Sequence, residues 1–153
     1  MEIMKGYNFD PRDTMGIFSH SGINNVNIDV AIEAKKKGMK VVAFGSAAEA
    51  AGKQTRHSSG KNIFDLADVV VDSCAPIGDA SVPIQNHQDK LGPVSTMAFI
   101  TCVWMTVLTV AEILAGRGVK LHIHPSHNVP GDTTARQRLE EALAAYKERI
   151  AGV

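Results

Sequence analysis

The chain has 153 residues, of which 44% are hydrophobic and 21% are charged, enough for one globular domain and hardly for two. Lysine plus arginine and aspartate plus glutamate both number 16, so no basic field exists to attract nucleic acid or an anionic membrane. Two cysteines far apart in the sequence and a polar N-terminus without the apolar core of a secretion signal predict a soluble, cytoplasmic protein.

The first elements alternate as in a parallel α/β sheet. An apolar run at 14–19 predicts a buried strand, and residues 27–37 predict a helix that ends in three lysines before Gly38. Residues 40–44 predict the next strand. This β-loop-α-β order is typical of a right-handed parallel crossover.

The middle of the chain is less regular. Short helical turns are predicted at 47–51 and 62–67, on either side of a polar loop at 54–61. Residues 68–73 are rich in valine and predict a third, doubly covered strand. Residues 74–94 have no clean period and predict a long loop of functional or partner-bound type.

From Leu91 to Ala111 no residue is charged, and the length would nearly span a bilayer. The stretch contains four threonines, and Glu112 follows it. We therefore favour a helix from 95 to about 117, buried on all sides within a larger assembly, over a membrane span.

Two elements are predicted after this helix. Residues 120–124 predict a final strand, bounded by Pro125. Residues 133–151 predict an amphipathic helix, with one stripe formed by Leu139, Leu143, Tyr146 and Ile150.

The strongest local signal is the run Ser-His-Ser-Gly-Ile-Asn-Asn at 19–25, between a predicted strand and a predicted helix. A helix N-terminus offers unpaired N–H groups and partial positive charge, which suit a phosphate, and Gly22 permits close approach of the backbone. The alternative is that serine, glycine and asparagine only form a turn and an N-cap.

The run SHSGINNVNIDVAIEAKKKGMKVVAF resembles the pattern of the SIS (sugar isomerase) domain family. The resemblance implies that Ser19, Ser21 and Asn24 bind the phosphate of a phosphosugar, with backbone contributions from His20 and Gly22. Threonine is more usual where Asn24 stands. His20 also departs from the family, so it either touches substrate or is simply exposed.

Shorter segments extend the resemblance to a SIS subfamily related to phosphoheptose isomerase: RHSSGK at 56–61, ADVVVD at 67–72, GDA at 78–80 and GPVST at 92–96. The implied fold is a three-layer αβα arrangement with a mainly parallel, flavodoxin-like sheet. A complete domain has a first βα unit before the position of Asp13. We therefore expect residues 1–153 to form a single partial SIS-type domain, in a homo-oligomer or with a chain that supplies the N-terminal half.

Isomerisation of a phosphosugar needs a base at carbon and an acid at the neighbouring oxygen. His57 is the first candidate because it lies in the polar loop and titrates near neutrality. Arg56, Ser58 and Lys61 are candidates for contact with phosphate, substrate or an enediolate oxygen. The alternative is a capped turn in which Ser58 or Ser59 satisfies backbone groups.

Asp79, in the segment Gly-Asp-Ala, is a second candidate for catalysis, or else only stabilises its loop. Ser95 and Thr96 begin the long helix and are candidates for a further phosphate contact, with plain N-capping as the alternative.

A histidine cluster near the C-terminus, His122, His124 and His127, invites a metal interpretation. No HExxH or cysteine-paired spacing accompanies it, and Asp132 is the only nearby carboxylate, so inward-facing or interface histidines are favoured. No glycine-rich dinucleotide fingerprint precedes the long helix, and neither metal nor cofactor is expected.

The leading functional hypothesis is an aldose–ketose isomerase acting on a phosphorylated sugar. The rival is a non-catalytic subunit that senses sugar phosphates, because no unambiguous acid–base pair stands out. A structural fragment is a third interpretation.

Overall fold

The computed structural model describes residues 4–126 and 128–151. They form two compact units, Met1–Met105 and Thr106–Val153, with the long helix α4 contributing to both. The elements in chain order are β1 (Thr14–Phe18), α1 (Asn25–Lys36), β2 (Lys40–Gly45), α2 (Ala47–Ala50), α3 (Ile63–Leu66), β3 (Val69–Asp72), β4 (Ala80–Pro83), β5 (Lys90–Pro93), α4 (Ser95–Gly116) and α5 (Ala135–Ala151).

The first unit contains the predicted parallel sheet. Its strand order is β1-β2-β3, and both pairs are parallel. The prediction of an α/β fold with a parallel sheet is therefore confirmed. The three strands end at the same edge, where open α/β sheets place their ligands.

Helix α1 covers one face of this sheet. Alternation along β1 turns Ile17 toward α1, where it joins a core of small and branched side chains. The buried members of this core are Ile17, Ile28, Ala31, Ala34, Met39, Val41, Ala43 and Ile63. Two lysines lie in the last turn of α1, and Gly38 follows in the left-handed region (φ +81°), as the sequence predicted for the end of the helix.

The opposite face of the sheet is aromatic. Phe18 and Phe44 are register partners, and their rings stack with centroids 4.5 Å apart. Phe99 of α4 meets the Phe18 ring edge-on at 5.7 Å. Helices therefore contact both faces of the sheet, as a three-layer SIS-type arrangement requires.

The prediction of one long loop over residues 74–94 is wrong. Within it β4 and β5 form an antiparallel hairpin in which Ala80 pairs with Pro93 and Val82 with Leu91. Both strands have four residues and are mostly exposed. They consequently lack the alternation of apolar and polar residues by which a strand is recognised in sequence.

The prediction of a strand at 120–124 is also wrong, because those residues have no regular secondary structure. The run is short, and it forms no strand pairing with any described strand. The next helix, α5, is confirmed, but its buried positions are Ala135 and Ala142, whereas Leu143 and Tyr146 are exposed. The side chain of Ile150 lies outside the described residues.

Helix α4 is confirmed at the predicted position, but its predicted burial is not supplied by this chain. Ser95 is its only buried residue among those described, and large side chains such as Met97, Ile100 and Trp104 are exposed. In the described part of the chain, α4 alone is long and apolar enough to cross a membrane. That criterion of length and composition is by itself weak evidence for a span.

Candidate functional site

The loop that follows β1 is held rigidly at the carboxyl edge of the sheet. Ser19 is buried, and its Oγ accepts a hydrogen bond from the N–H of Gly22 at 3.1 Å. The carbonyl of Gly22 accepts from the N–H of Ile63 at 3.0 Å, and that of His20 from Ser46 at 3.0 Å. These contacts fix the path of the chain into α1.

Gly22 makes this path possible. Its φ is +73°, a region that favours glycine, and a Cβ at this position would lie 2.4 Å from the ring of Phe64. The predicted need for glycine here thus has a local cause, which is close packing against α3.

The N-terminus of α1 is open. Asn24 stands at the N-cap position, but its side chain makes no capping hydrogen bond, and the first turn contains no acidic residue. The first N–H with an acceptor is that of Ile28, which donates to the carbonyl of Asn24 at 3.1 Å. The N–H groups of residues 25–27 therefore have no acceptor within the described chain.

The N-termini of the next three helices are closed by side chains. Ser46 caps α2, Asn62 forms a capping box with Asp65 at α3, and the carboxylate of Asp79 occupies the start of α4. Among α1–α4, only α1 has no side chain that accepts a hydrogen bond from its first N–H groups.

A cavity of about 610 Å³ lies against this open end. Its lining residues are Ile23, Asn24, Asn25, Val26, Asn27 and Arg56. The structure thus brings together Asn24, predicted for phosphate, and Arg56, predicted for substrate, although 32 positions separate them in the sequence. Arg56 forms no ion pair with any described residue, so its guanidinium faces no competing carboxylate.

His57 is engaged on both ring nitrogens. Nε2 lies 3.1 Å from Oδ1 of Asp29 on α1, and Nδ1 lies 2.7 Å from Oγ of Ser59. Ser59 Oγ also accepts from the N–H of Lys61 at 3.2 Å. Ser59, and not Ser58, therefore satisfies the backbone in this loop, as in the capped-turn alternative. Lys61 and Ser58 are exposed.

Asp79 caps α4. Its carboxylate accepts from the N–H groups of Val94 and Ser95 and from the hydroxyl of Ser95. Burial alone would raise the pKa of Asp79, but the hydrogen bonds from Ser95 and Val94 outweigh it, so that the pKa is lowered. The donors of Ser95 that the sequence suggested for phosphate are thus taken by Asp79. Thr96 lines a separate apolar cavity.

The contact between the side chains of His20 and Glu49 was not predicted from the sequence. The His20 side chain is 17% exposed, its Nε2 lies 3.8 Å from Oε2 of Glu49, and neither ring nitrogen has a hydrogen-bond partner. Glu49 also accepts from the N–H of Gly78 at 2.8 Å and forms an ion pair with Lys53. The bond from Lys53 and then that from Gly78 lower the pKa of Glu49. The signal that would have found Glu49 is the Ser-x-x-Glu spacing from Ser46 at the start of α2.

The described residues include no group of three or more histidine, cysteine or acidic side chains able to hold a metal ion. His122 and His124 belong to the second unit, where His122 lines a cavity of about 440 Å³. His127 lies outside the described residues.

Comparison with known proteins identifies a family that this chain resembles. A family model described as "SIS domain" matches residues 1–46, which include β1, the loop, α1 and β2. The match therefore covers the open helix end and the loop that leads into it.

Among curated proteins, the chain is similar to several named UPF0309 protein. That of Shouchella clausii is 34% identical over 84% of this chain and 52% of its own length. That of Thermoanaerobacter pseudethanolicus is 31% identical over 97% of this chain and 60% of its own length. That of Oceanobacillus iheyensis is 35% identical over 90% of this chain and 55% of its own length. The chain therefore spans about half the length of the curated relatives it matches.

Proposed function

The chain belongs to the SIS-domain family, and on this premise we propose that it binds the phosphate of a phosphorylated sugar at the N-terminus of α1. The observation that carries the proposal is the open end of that helix, with no side-chain cap and no acid in its first turn. A phosphate there would accept hydrogen bonds from the N–H groups for which the described chain has no acceptor.

The loop residues have distinct parts in this proposal. Ser19 orients the turn from its buried position, while Ser21 and Asn24 offer a hydroxyl and an amide to the anion. Gly22 and His20 contribute the close backbone approach. Arg56 lines the cavity at this helix end, and its guanidinium donates paired hydrogen bonds to the phosphate oxygens. Because the net charge is zero, local donors hold the anion.

Isomerisation of the bound sugar by an aldose–ketose route is the finer part of the proposal. It needs a base at the carbon next to the carbonyl. Lys61 is exposed beside the loop, whereas His57 and Asp79 are engaged within the fold. The chemistry therefore draws on Lys61, on rearrangement of His57, or on a group from another chain.

A non-catalytic sensor of sugar phosphates is the second candidate. The observation that favours it is the same engagement of His57 and Asp79 in structural hydrogen bonds, which leaves the binding donors free but the acid–base groups occupied.

We also propose that a second polypeptide, either another copy or a chain with a further βα unit, covers an apolar surface of the first unit. This surface consists of Phe18, Phe99, Ile100, Val103 and Trp104, beside a cavity of about 300 Å³. Strand β1 pairs only with β2 among the described strands, so its other edge is open to a further parallel strand. Mass measurement by light scattering tests this, and a monodisperse monomer would reject it. We propose a cytoplasmic location.

Calorimetry with glucose 6-phosphate, fructose 6-phosphate and their unphosphorylated sugars tests phosphate binding. We expect binding of the phosphorylated forms only. Ser21→Asp should abolish it by placing a carboxylate in the loop that leads into the open end of α1, while Ser81→Asp, in the hairpin strand β4, should leave the affinity unchanged. Equal binding by the Ser21→Asp variant would remove the loop from the proposal.

Exchange of deuterium from solvent into the carbon next to the carbonyl separates the two candidate functions. Incorporation that depends on the protein indicates the isomerase. Binding without deuterium incorporation, measured also on the assembled oligomer, indicates the sensor.

A further inference from the structure

We propose that Asp29 and His57 form a clamp that positions Arg56 in the cavity at the N-terminus of α1. In this role His57 acts on the ligand through Arg56 and is a positioning residue. The inference rests on the proposed function, because it assumes that Arg56 contacts the bound phosphate.

The clamp joins two segments that are distant in sequence. Asp29 lies on α1, just after the first turn, and its Oδ1 is 3.1 Å from Nε2 of His57. The His57 side chain is 12% exposed, whereas that of Asp29 is 52% exposed. The imidazole is therefore packed against the helix, and the contact fixes the loop at 54–61 beside the open helix end.

The remaining contacts of His57 define its orientation. The N–H of Ser59 donates to Nδ1 at 3.1 Å, which makes Nδ1 an acceptor in the neutral ring and leaves the ring proton on Nε2, directed at Asp29. The backbone N–H of His57 donates to Oγ1 of Thr55 at 3.0 Å, and its carbonyl accepts from Gly60 at 3.0 Å. Both backbone groups and both ring nitrogens of His57 are thus used.

Arg56 is the residue immediately before this fixed point, and it lines the cavity with Asn24 and Asn27. Its guanidinium has no ion-pair partner in the part of the chain that the structure describes. Arg56 thus adjoins a residue whose backbone is fixed, while its own guanidinium is not held by an ion pair. Such preorganisation strengthens ligand binding, because less conformational freedom is lost when the ligand arrives.

The clamp makes a prediction that differs from that of a catalytic histidine. If His57 were only a base, removing Asp29 would alter turnover and leave phosphate affinity unchanged. If it positions Arg56, removing Asp29 weakens phosphate binding, and the loss disappears when Arg56 is absent. A double-mutant cycle distinguishes the two.

The experiment measures the Kd of inorganic phosphate and of fructose 6-phosphate by calorimetry for the full chain, Asp29→Ala, Arg56→Ala and the double variant. We expect Arg56→Ala to weaken binding about tenfold, as loss of a charged hydrogen bond does. Asp29→Ala should weaken it by about threefold or more alone and have no effect in the Arg56→Ala background. Glu33→Ala, on the same helix, is the matched control and should bind like the parent chain.

Hydrogen exchange of the loop at 54–61 is the second readout, and we expect faster exchange in Asp29→Ala but not in Glu33→Ala. Should Asp29→Ala fail to fold, Asp29→Leu, which has a similar shape and no hydrogen-bond acceptor, takes its place. Unchanged affinity in the Asp29 variant, or losses that add to those of Arg56→Ala, would overturn the clamp and leave the proposed function standing. Absence of phosphate binding by the parent chain would reject both.

Discussion

The carboxylate of Asp79 accepts two hydrogen bonds from Ser95, one from the backbone N–H at 2.7 Å and one from the hydroxyl at 2.8 Å. A residue outside α4 thus fills the helix end where an anion would otherwise bind. The N-terminus of α1 is the counterpart, because Asn24 leaves it open. The chain therefore caps one of these two helix ends with its own carboxylate and leaves the other without a side-chain cap.

Removal of the Asp79 carboxylate should destabilise the fold. We expect Asp79→Ala to lower the free energy of unfolding by about 0.5–2 kcal/mol, as loss of a helix cap does. Urea denaturation followed by circular dichroism measures this. Asp89→Ala, an exposed aspartate in the same hairpin region, is the control and should change stability little. An Asp79 variant as stable as the control would contradict the capping role.

The pH dependence of stability should reveal Glu49. Its pKa is lowered in the folded chain from the usual 4.5, chiefly by Lys53, so its contribution is complete above that value and is lost as the pH falls through the folded pKa. We expect the stability difference between the parent chain and Glu49→Gln to be constant near neutrality and to shrink below about pH 4.5. A difference that grows on acidification would be inconsistent with this assignment.

An acid at the N-cap of α1 should have opposite effects on stability and binding. Asn24→Asp places a negative charge beside the free N–H groups, which should stabilise the helix by about 0.3–1 kcal/mol. The same charge should repel phosphate and weaken its binding at least tenfold. Thermal denaturation and calorimetry give the two values, with Asn86→Asp in the exposed hairpin turn as control. Retained affinity would place the anion elsewhere.

Close packing at Gly22 should make it less replaceable than Gly60. Both residues have φ near +70°, and an alanine at either pays about 1–2 kcal/mol for the left-handed conformation. At Gly22 the added Cβ would also meet the Phe64 ring at 2.4 Å, whereas nothing lies within 4 Å at Gly60. Gly22→Ala should therefore lower the melting temperature more than Gly60→Ala. Equal losses would show that the ring moves without cost.

Trp104 offers an internal probe of the apolar surface. It is the single tryptophan of the chain, and its side chain is exposed in the isolated chain. Its fluorescence should shift to shorter wavelength as assembly covers the surface, and should return on dilution. Val103→Glu should suppress the shift, because burial of an unpaired charge opposes association. A spectrum independent of concentration would indicate that Trp104 remains in water. A shift on addition of lipid vesicles alone would indicate a membrane instead.

Local sequence patterns determined the elements of the first unit. Apolar runs predicted the strands, and the motif from Ser19 to Asn24 predicted the loop. The lysines at the end of α1 and Gly38 after it predicted where the helix ends. Each of these signals acts over only a few residues. The same reasoning failed for the hairpin β4–β5, because its exposed strands carry no alternation of apolar and polar residues. It also failed for residues 120–124, which have a strand-like sequence but no neighbouring strand among the described residues to pair with.

Only the tertiary structure decided which groups are free to act. His57 is held by Asp29, 28 positions away, Ser95 by Asp79, and His20 lies against Glu49, which no motif for phosphate binding indicated. The reason is physical: a donor or acceptor is available only if no partner reaches it, and the partners come from segments that the fold, not the local sequence, brings together.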